Sequence, residues 1–209
     1  MTQILMYCEG VRDFMPLCSL MKKTANTKDF KVTRKTRNDL RKETSLLSGR
    51  RGIHKHITDI DRLAMSAKKA NCKHIAYHQD GNGEFIDIYE SIEKKFSDYK
   101  EKLNCLAIVP KEMTESWLLS DKQAFAIAFG SIPSRPKLPG KPEMLWGALE
   151  DPDSNYPKHV LERVLNQYNI TANRDVYDDI AQNCDIDTLI LKCPKSFATF
   201  VRDVRSFLT

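Results

Sequence analysis

Apolar residues in the first two thirds of the chain come in short runs separated by longer periodic stretches. Ile4, Leu5, Met6 and Tyr7 form a run too short for a stand-alone helix. Gly10 ends it, and Val11, Met15, Leu17, Leu20 and Met21 follow at helical steps. The alternation then repeats. Residues 73–79 read as a strand, Phe85, Ile88, Tyr89, Ile92 and Phe96 as a helix, and residues 103–109 as a strand stopped by Pro110. Residues 112–129 read as one long helix with Met113, Trp117, Leu118, Ala124, Phe125 and Ala128 on its core side. Residues 30–34 make a further short strand candidate, and residues 53–70 a helix through Ile53, Ile57, Ile60, Leu63, Ala64 and Ala67. Strands that alternate with helices require crossover connections, hence a parallel sheet. Residues 1–130 are therefore expected to form an α/β domain with a parallel sheet sandwiched by helices.

After residue 130 the pattern changes. Pro133, Pro136, Pro139 and Pro142 make residues 131–142 a semi-rigid linker. Short amphipathic segments follow at 144–149, 160–168, 176–181, 186–191 and 197–208, so residues 143–209 are expected to form a helical C-terminal subdomain.

At 209 residues, with 41% hydrophobic and 29% charged positions, the chain has the composition of a soluble globular protein. No apolar run approaches the roughly 20 residues of a membrane span, and no secretory leader is visible, which makes the cytoplasm the expected setting. Six cysteines without CxxC spacing point to reduced thiols rather than a zinc site. Net charge is +5, but it is uneven: between Lys22 and Lys55 twelve cations face three anions. Arg34, Lys35, Arg37, Arg41, Lys42, Arg50, Arg51 and Lys55 stand in what reads as a basic insertion at about residues 31–55. Such a patch suits phosphate contacts, although a solvated surface segment has the same composition. His54 and His56 do not share one helix face and read as phosphate-side contacts or solvated residues rather than metal ligands.

Acids close the strands. Glu9 follows the first run, Asp80 follows residues 73–79, and Glu115 lies just after the third strand, with Asp13 one helical turn beyond Glu9. Each has a plain alternative, since Asp13, Glu112 and Glu115 also suit the positive end of a helix dipole. Taken together, carboxylates at the carboxyl ends of parallel strands point into the crevice where α/β proteins bind ligands. All-oxygen ligands select a hard ion such as Mg2+, which keeps several waters and takes one or two carboxylates plus the phosphates of a substrate.

The Glu9-Gly10 pair with Asp13, the strand-end Asp80-Gly81-Asn82, and Glu115 within TESWLLSD resemble the Toprim domain. In that domain a Glu after the first strand and a later Asp-x-Asp pair hold Mg2+. More narrowly, the chain is similar to Toprim nucleases of the overcoming-lysogenization-defect type and to small Toprim-like proteins encoded beside ATPases in bacterial phage-defence cassettes. In these, Glu-x-Trp-Leu-Leu-x-Asp follows a Pro-terminated strand, as Glu115, Trp117, Leu118, Leu119 and Asp121 follow Pro110 here. The resemblance covers about residues 1–130. It implies a Toprim-like fold with a helical extension and a Mg2+- or Mn2+-dependent nuclease acting on DNA or RNA. It further implies that Glu9, Asp80 and Glu115 are catalytic and that Glu9, Asp13, Asp80, Asn82 and Glu115 surround the metal. An ATPase subunit is the implied partner, the implied role is that of an anti-phage effector, and self-association stays open. One departure stands out: Asn82 occupies the second acid position, and pairing His78 with Asp80 instead also leaves one acid, unless Glu84 or Asp87 takes the place. A non-catalytic nucleic-acid-binding or ATPase-partner subunit is the alternative reading.

Overall fold

The structure, a computed structural model, describes residues 1–25, 29–45, 57–130 and 137–208. Four strands, β1 (Thr2–Cys8), β2 (Phe30–Lys35), β3 (His74–His78) and β4 (Asn104–Ile108), form one sheet in the order β2-β1-β3-β4. All neighbours are parallel, with Tyr7 opposite Lys35, Cys8 opposite His78 and His78 opposite Ile108. The α/β expectation is met. The central strands are near-continuous apolar runs because helices cover both faces, and successive side chains serve opposite layers. Ile4, Met6 and Cys8 enter one core while Leu5 and Tyr7 enter the other.

The second core lies under α2 (Arg37–Ser45), α3 (Asp59–Lys69) and α4 (Phe85–Phe96), which contribute Leu40, Ile60, Leu63, Ala64, Ala67, Ile92 and Phe96. Thr58 and Asp61 start α3 with a reciprocal cap, each side chain accepting from the other's backbone N–H. The first core lies under α1 (Phe14–Ala25), α5 (Thr114–Leu118) and α6 (Lys122–Phe129), together with α7 (Pro157–Asn166), α8 (Arg174–Asn183), α9 (Ile186–Lys192) and α10 (Ser196–Phe207). Leu161, Tyr177, Leu189, Phe197, Phe200 and Val204 from the C-terminal helices thus share one apolar cluster with Ile4 and Met6 of β1. The C-terminal segment forms much of the layer over one face of the sheet. Trp117 is its keystone: fully buried, it meets Phe197 and Phe200 edge-on and tilted, and its Nε1 donates to Ser196 Oγ at 2.9 Å. Truncation of such a residue to Ala costs about 3–5 kcal/mol.

Three expectations need correcting. Residues 30–45 are not an irregular insertion: β2 is a paired edge strand whose alternation was thin because only Phe30 and Val32 are apolar, and α2 buries little beyond Leu40 and Thr44. Arg50, Arg51, Lys55, His54 and His56 lie outside the described residues. The long helix at 112–129 is two helices, because the Asp121 carboxylate accepts from Gln123 N–H and Ala124 N–H and so starts α6 anew. Residues 145–149 form no helix; a short 3-10 helix, Pro142–Met144, precedes them. There Glu143 is buried and accepts from Lys195 N–H, Ser196 N–H and Ser196 Oγ–H, capping α10 from a distant part of the chain. All six cysteines are unpaired thiols. Among the described residues no helix is long and apolar enough to cross a membrane.

Candidate functional site

In the order β2-β1-β3-β4 the chain leaves β1 toward one side and later returns to the other, so the crossover reverses between β1 and β3. A crevice opens at the carboxyl ends of two such strands. Glu9 directly follows β1, and Asp80 stands two residues past β3. They meet: Glu9 Oε2 accepts from the Asp80 backbone N–H at 3.2 Å. Glu9 itself is exposed to solvent, whereas Asp80 is half-buried.

Asp13 folds back onto the same spot. It is buried, and a Cβ on Gly10 would overlap its Oδ2, so the Glu9-Gly10 pair needs glycine for the carboxylate to pack there. Between Asp13 and Asp80 lies His78, the last residue of β3, with no exposed surface. Its Nδ1 is 4.0 Å from Asp13 Oδ2, its Nε2 is 3.4 Å from Asp80 Oδ1, and Nε2 is 3.2 Å from Thr114 Oγ1. Burial alone would hold the imidazole neutral, but Asp80, Asp13 and Glu9 outweigh it and raise the histidine pKa above its ordinary value. Burial likewise raises Asp13, with His78 and the Thr114 hydroxyl pulling the other way.

Glu115 closes the cluster from the third element. It lies in α5, 4% exposed, and burial, then Asp13 and Asp80, push its pKa up to about 8. Burial, then Glu115, raises the Tyr177 phenol of α8, against the pull of Arg12. Burial, then Asp80 and Glu115, raises Tyr156 at the start of α7. Asp80 Oδ1 and Glu115 Oε2 are buried oxygens without a hydrogen-bond partner among the described residues, as is the Nδ1 of His78.

Glu9, Asp13, Asp80 and Glu115 are thus gathered at one edge. Asn82 stands apart from them in kind: exposed, with φ 45°, it is a turn residue whose N–H donates to Glu112 O at 3.0 Å. Asn is favoured in that left-handed conformation irrespective of any metal. Glu84 precedes α4 and Asp87 lies in its first turn, both exposed. Among the described residues no three His, Cys, Asp or Glu side chains are disposed to hold one ion as a ready-made cage. The donor set nevertheless fits Mg2+ or Mn2+. Such ions take one or two carboxylates and keep waters, and here Glu115 Oε2 is buried without a partner among the described residues, while Asp80 Oδ1 is buried with no hydrogen bond and only the imidazole 3.4 Å away.

The cations of β2 and α2 behave differently. Lys35 Nζ contacts Glu43 Oε1 at 2.5 Å, and Arg37 Nε contacts Asp59 Oδ2 at 2.8 Å. Glu43 also accepts from Ser66. Arg41 and Lys42 are exposed on α2, and Arg34 is half-buried beside β1, its Nε buried without a hydrogen-bond partner.

Sequence reasoning noticed His78 only as a substitute acid position, and it missed Thr114, Tyr156 and Tyr177. The signal for His78 was its place at the end of an alternating strand, where its side chain shares the face of Ala76. The tyrosines had no local signal, since α7 and α8 reach the site only through the fold. Compared with protein-family models, curated proteins and solved structures, the chain matches none of them.

Proposed function

We propose that this edge is the active site of a divalent-metal-dependent phosphodiesterase acting on nucleic acid, a nuclease of the Toprim type. The observation that carries the reading is the crowding of acids at the crevice outside β1 and β3, where Glu115 Oε2 is buried without a partner among the described residues and Asp80 Oδ1 is buried with no hydrogen bond, His78 Nε2 standing 3.4 Å away. A buried acceptor without a partner costs about 1–3 kcal/mol, more when charged. A hard cation would relieve that cost.

Asp80 and Glu115 would hold the ion, with Asp13 behind them and Glu9 at the solvent side. Bound Mg2+ or Mn2+ would supply Lewis-acid activation and neutralise charge on the phosphate. The chain's own groups do the rest. Glu9, exposed and oriented by the Asp80 N–H, is placed to take a proton from an attacking water. His78, braced by Thr114 and Asp13, fixes the Asp80 carboxylate and offsets part of the acid charge. The test is cleavage of a generic DNA and a generic RNA against added Mg2+ or Mn2+, with and without EDTA, for wild type and Asp80→Asn. Metal-dependent cleavage lost in Asp80→Asn is expected; equal cleavage by the variant would overturn the reading.

A second reading, nucleic-acid binding without cleavage, is favoured by Asn82, which the turn geometry explains and which leaves one acid fewer than the Toprim pattern. In the same assay it requires that wild type bind and cut with neither metal. The resemblance to defence-cassette proteins supports a cytoplasmic anti-phage effector in contact with an ATPase subunit. Co-purification with an ATPase subunit tests that partner, and light scattering tests self-association.

A further inference from the structure

The chain has two tryptophans, and their settings are opposite. Trp117 is buried in the core, whereas Trp146 is 78% exposed, with Met144 and Leu149 exposed on either side of it in sequence. Among the described residues no aromatic ring packs on the Trp146 indole. The segment that carries it is nonetheless held. At one end Lys111, just past β4, places Nζ 3.2 Å from Met144 Sδ, and Glu143 is tied to the start of α10. At the other end Gly147 packs against the backbone of Asn155 and Tyr156 so closely that a Cβ would collide with it. Ser154 Oγ donates to Ala148 O at 2.7 Å, His159 Nε2 is 2.8 Å from Leu149 O, and Arg163 donates to the carbonyls of Pro152 and Ser154 at 2.6 and 2.8 Å.

These ties hold the segment that carries the indole to elements that border the carboxylate edge. Lys111 follows the strand that ends next to β3, and Tyr156, against which Gly147 packs, is close enough to Asp80 and Glu115 to feel their charge. Lys111 and Lys158 are half-buried there and Lys141 is exposed. Of the acids in the same segment, Glu150 is exposed and its charge also reaches Tyr156, while Asp151 and Asp153 follow in the turn before α7. An exposed aromatic surface on a tethered segment that borders lysines and a phosphodiester-cleaving edge matches one ligand chemistry. Bases in a duplex have both faces covered by their neighbours, whereas an unpaired base offers a π-face for stacking.

We propose that Trp146 is a stacking platform for an unpaired base, so that the protein takes single-stranded or locally opened nucleic acid. This rests on the nuclease reading above. The probe is an oligo-dT strand and a hairpin duplex of equal length, bound in EDTA to wild type, Trp146→Phe and Trp146→Ala, with thermal melts to confirm folding. Because Trp117 is buried, indole quenching on titration reports Trp146 in the wild type. Expected are quenching by the single strand, about tenfold weaker single-strand binding by Trp146→Ala, most of that affinity restored by Trp146→Phe, and less than twofold change for the duplex. Wild type and Trp146→Ala binding oligo-dT equally, or losing both forms alike, would overturn the platform and leave the nuclease reading standing. Wild type binding neither form would overturn both.

Discussion

The two charged regions at the carboxyl edge of the sheet differ in how their charges are met. At β2 and α2 two of the basic groups already have partners within the fold, Lys35 on Glu43 and Arg37 on Asp59, whereas Arg41 is exposed and Arg34 keeps a buried Nε without a hydrogen bond. At β1 and β3 the acids crowd together, pull a buried histidine toward its charged form, and leave Glu115 Oε2 buried without a partner among the described residues. Charge density, which sequence composition shows well, is therefore the weaker guide. Partner status is the stronger one, because a satisfied ion pair is part of the scaffold, whereas an unsatisfied buried group stores a cost that a ligand can remove.

If the contrast is right, disabling the acid edge has the largest effect. Glu9→Gln and Asp80→Asn should each lower metal-dependent cleavage by at least about 100-fold, the scale of losing a positioned proton acceptor or ligand, while circular dichroism and melting stay near wild type. A loss that follows unfolding instead would remove the contrast.

Next comes pH. Asp13, His78 and Glu115 all have raised pKa values, Glu115 to about 8, so the folded state holds protons that the unfolded chain releases. Stability is then fullest below the unfolded carboxylate range and is lost as pH rises toward and through about 8 for Glu115. In EDTA the melting temperature should fall by several degrees between acid and mildly alkaline buffer. Glu115→Gln should flatten that slope, and added Mg2+ should do the same at high pH. An unchanged slope in the variant would show that Glu115 is not the group responsible.

On the basic side the effect is smaller and of another kind. Lys35→Ala should lower stability by about 1 kcal/mol, because Glu43 loses a half-buried partner. Nucleic-acid affinity and its salt dependence should hardly move, as measured by titration at several salt concentrations. A slope reduced by about one would make Lys35 a phosphate contact after all. Smallest is Asn82→Asp, which adds a carboxylate on an exposed turn. Mg2+ affinity, read by calorimetry, should tighten no more than a few-fold, since an exposed charge is screened by solvent. A gain of a hundredfold would place residue 82 in the metal's own shell.

Local pattern alone determined much of this protein. Short apolar runs ended by Gly or Pro located β1, β3 and β4, because strands covered on both faces are apolar throughout, and period-3.6 spacing located α4, which buries one face. Local pattern also located Glu9, Asp80 and Glu115, because an acid that closes a strand is visible one residue at a time. Where the signal was not local, the sequence was mute or misleading. Asp121 looked like one more residue of a long helix, since only its hydrogen bonds to Gln123 and Ala124 reveal a new start. Lys35 and Arg37 looked like free cations, since Glu43 and Asp59 reach them only once α2 and α3 have packed. Only the tertiary structure placed His78 between Asp13 and Asp80, closed the first core with helices from the far end of the chain, and left Trp146 exposed while burying Trp117. Those facts depend on contacts between residues distant in sequence, and no repeat along the chain encodes which distant residues will meet.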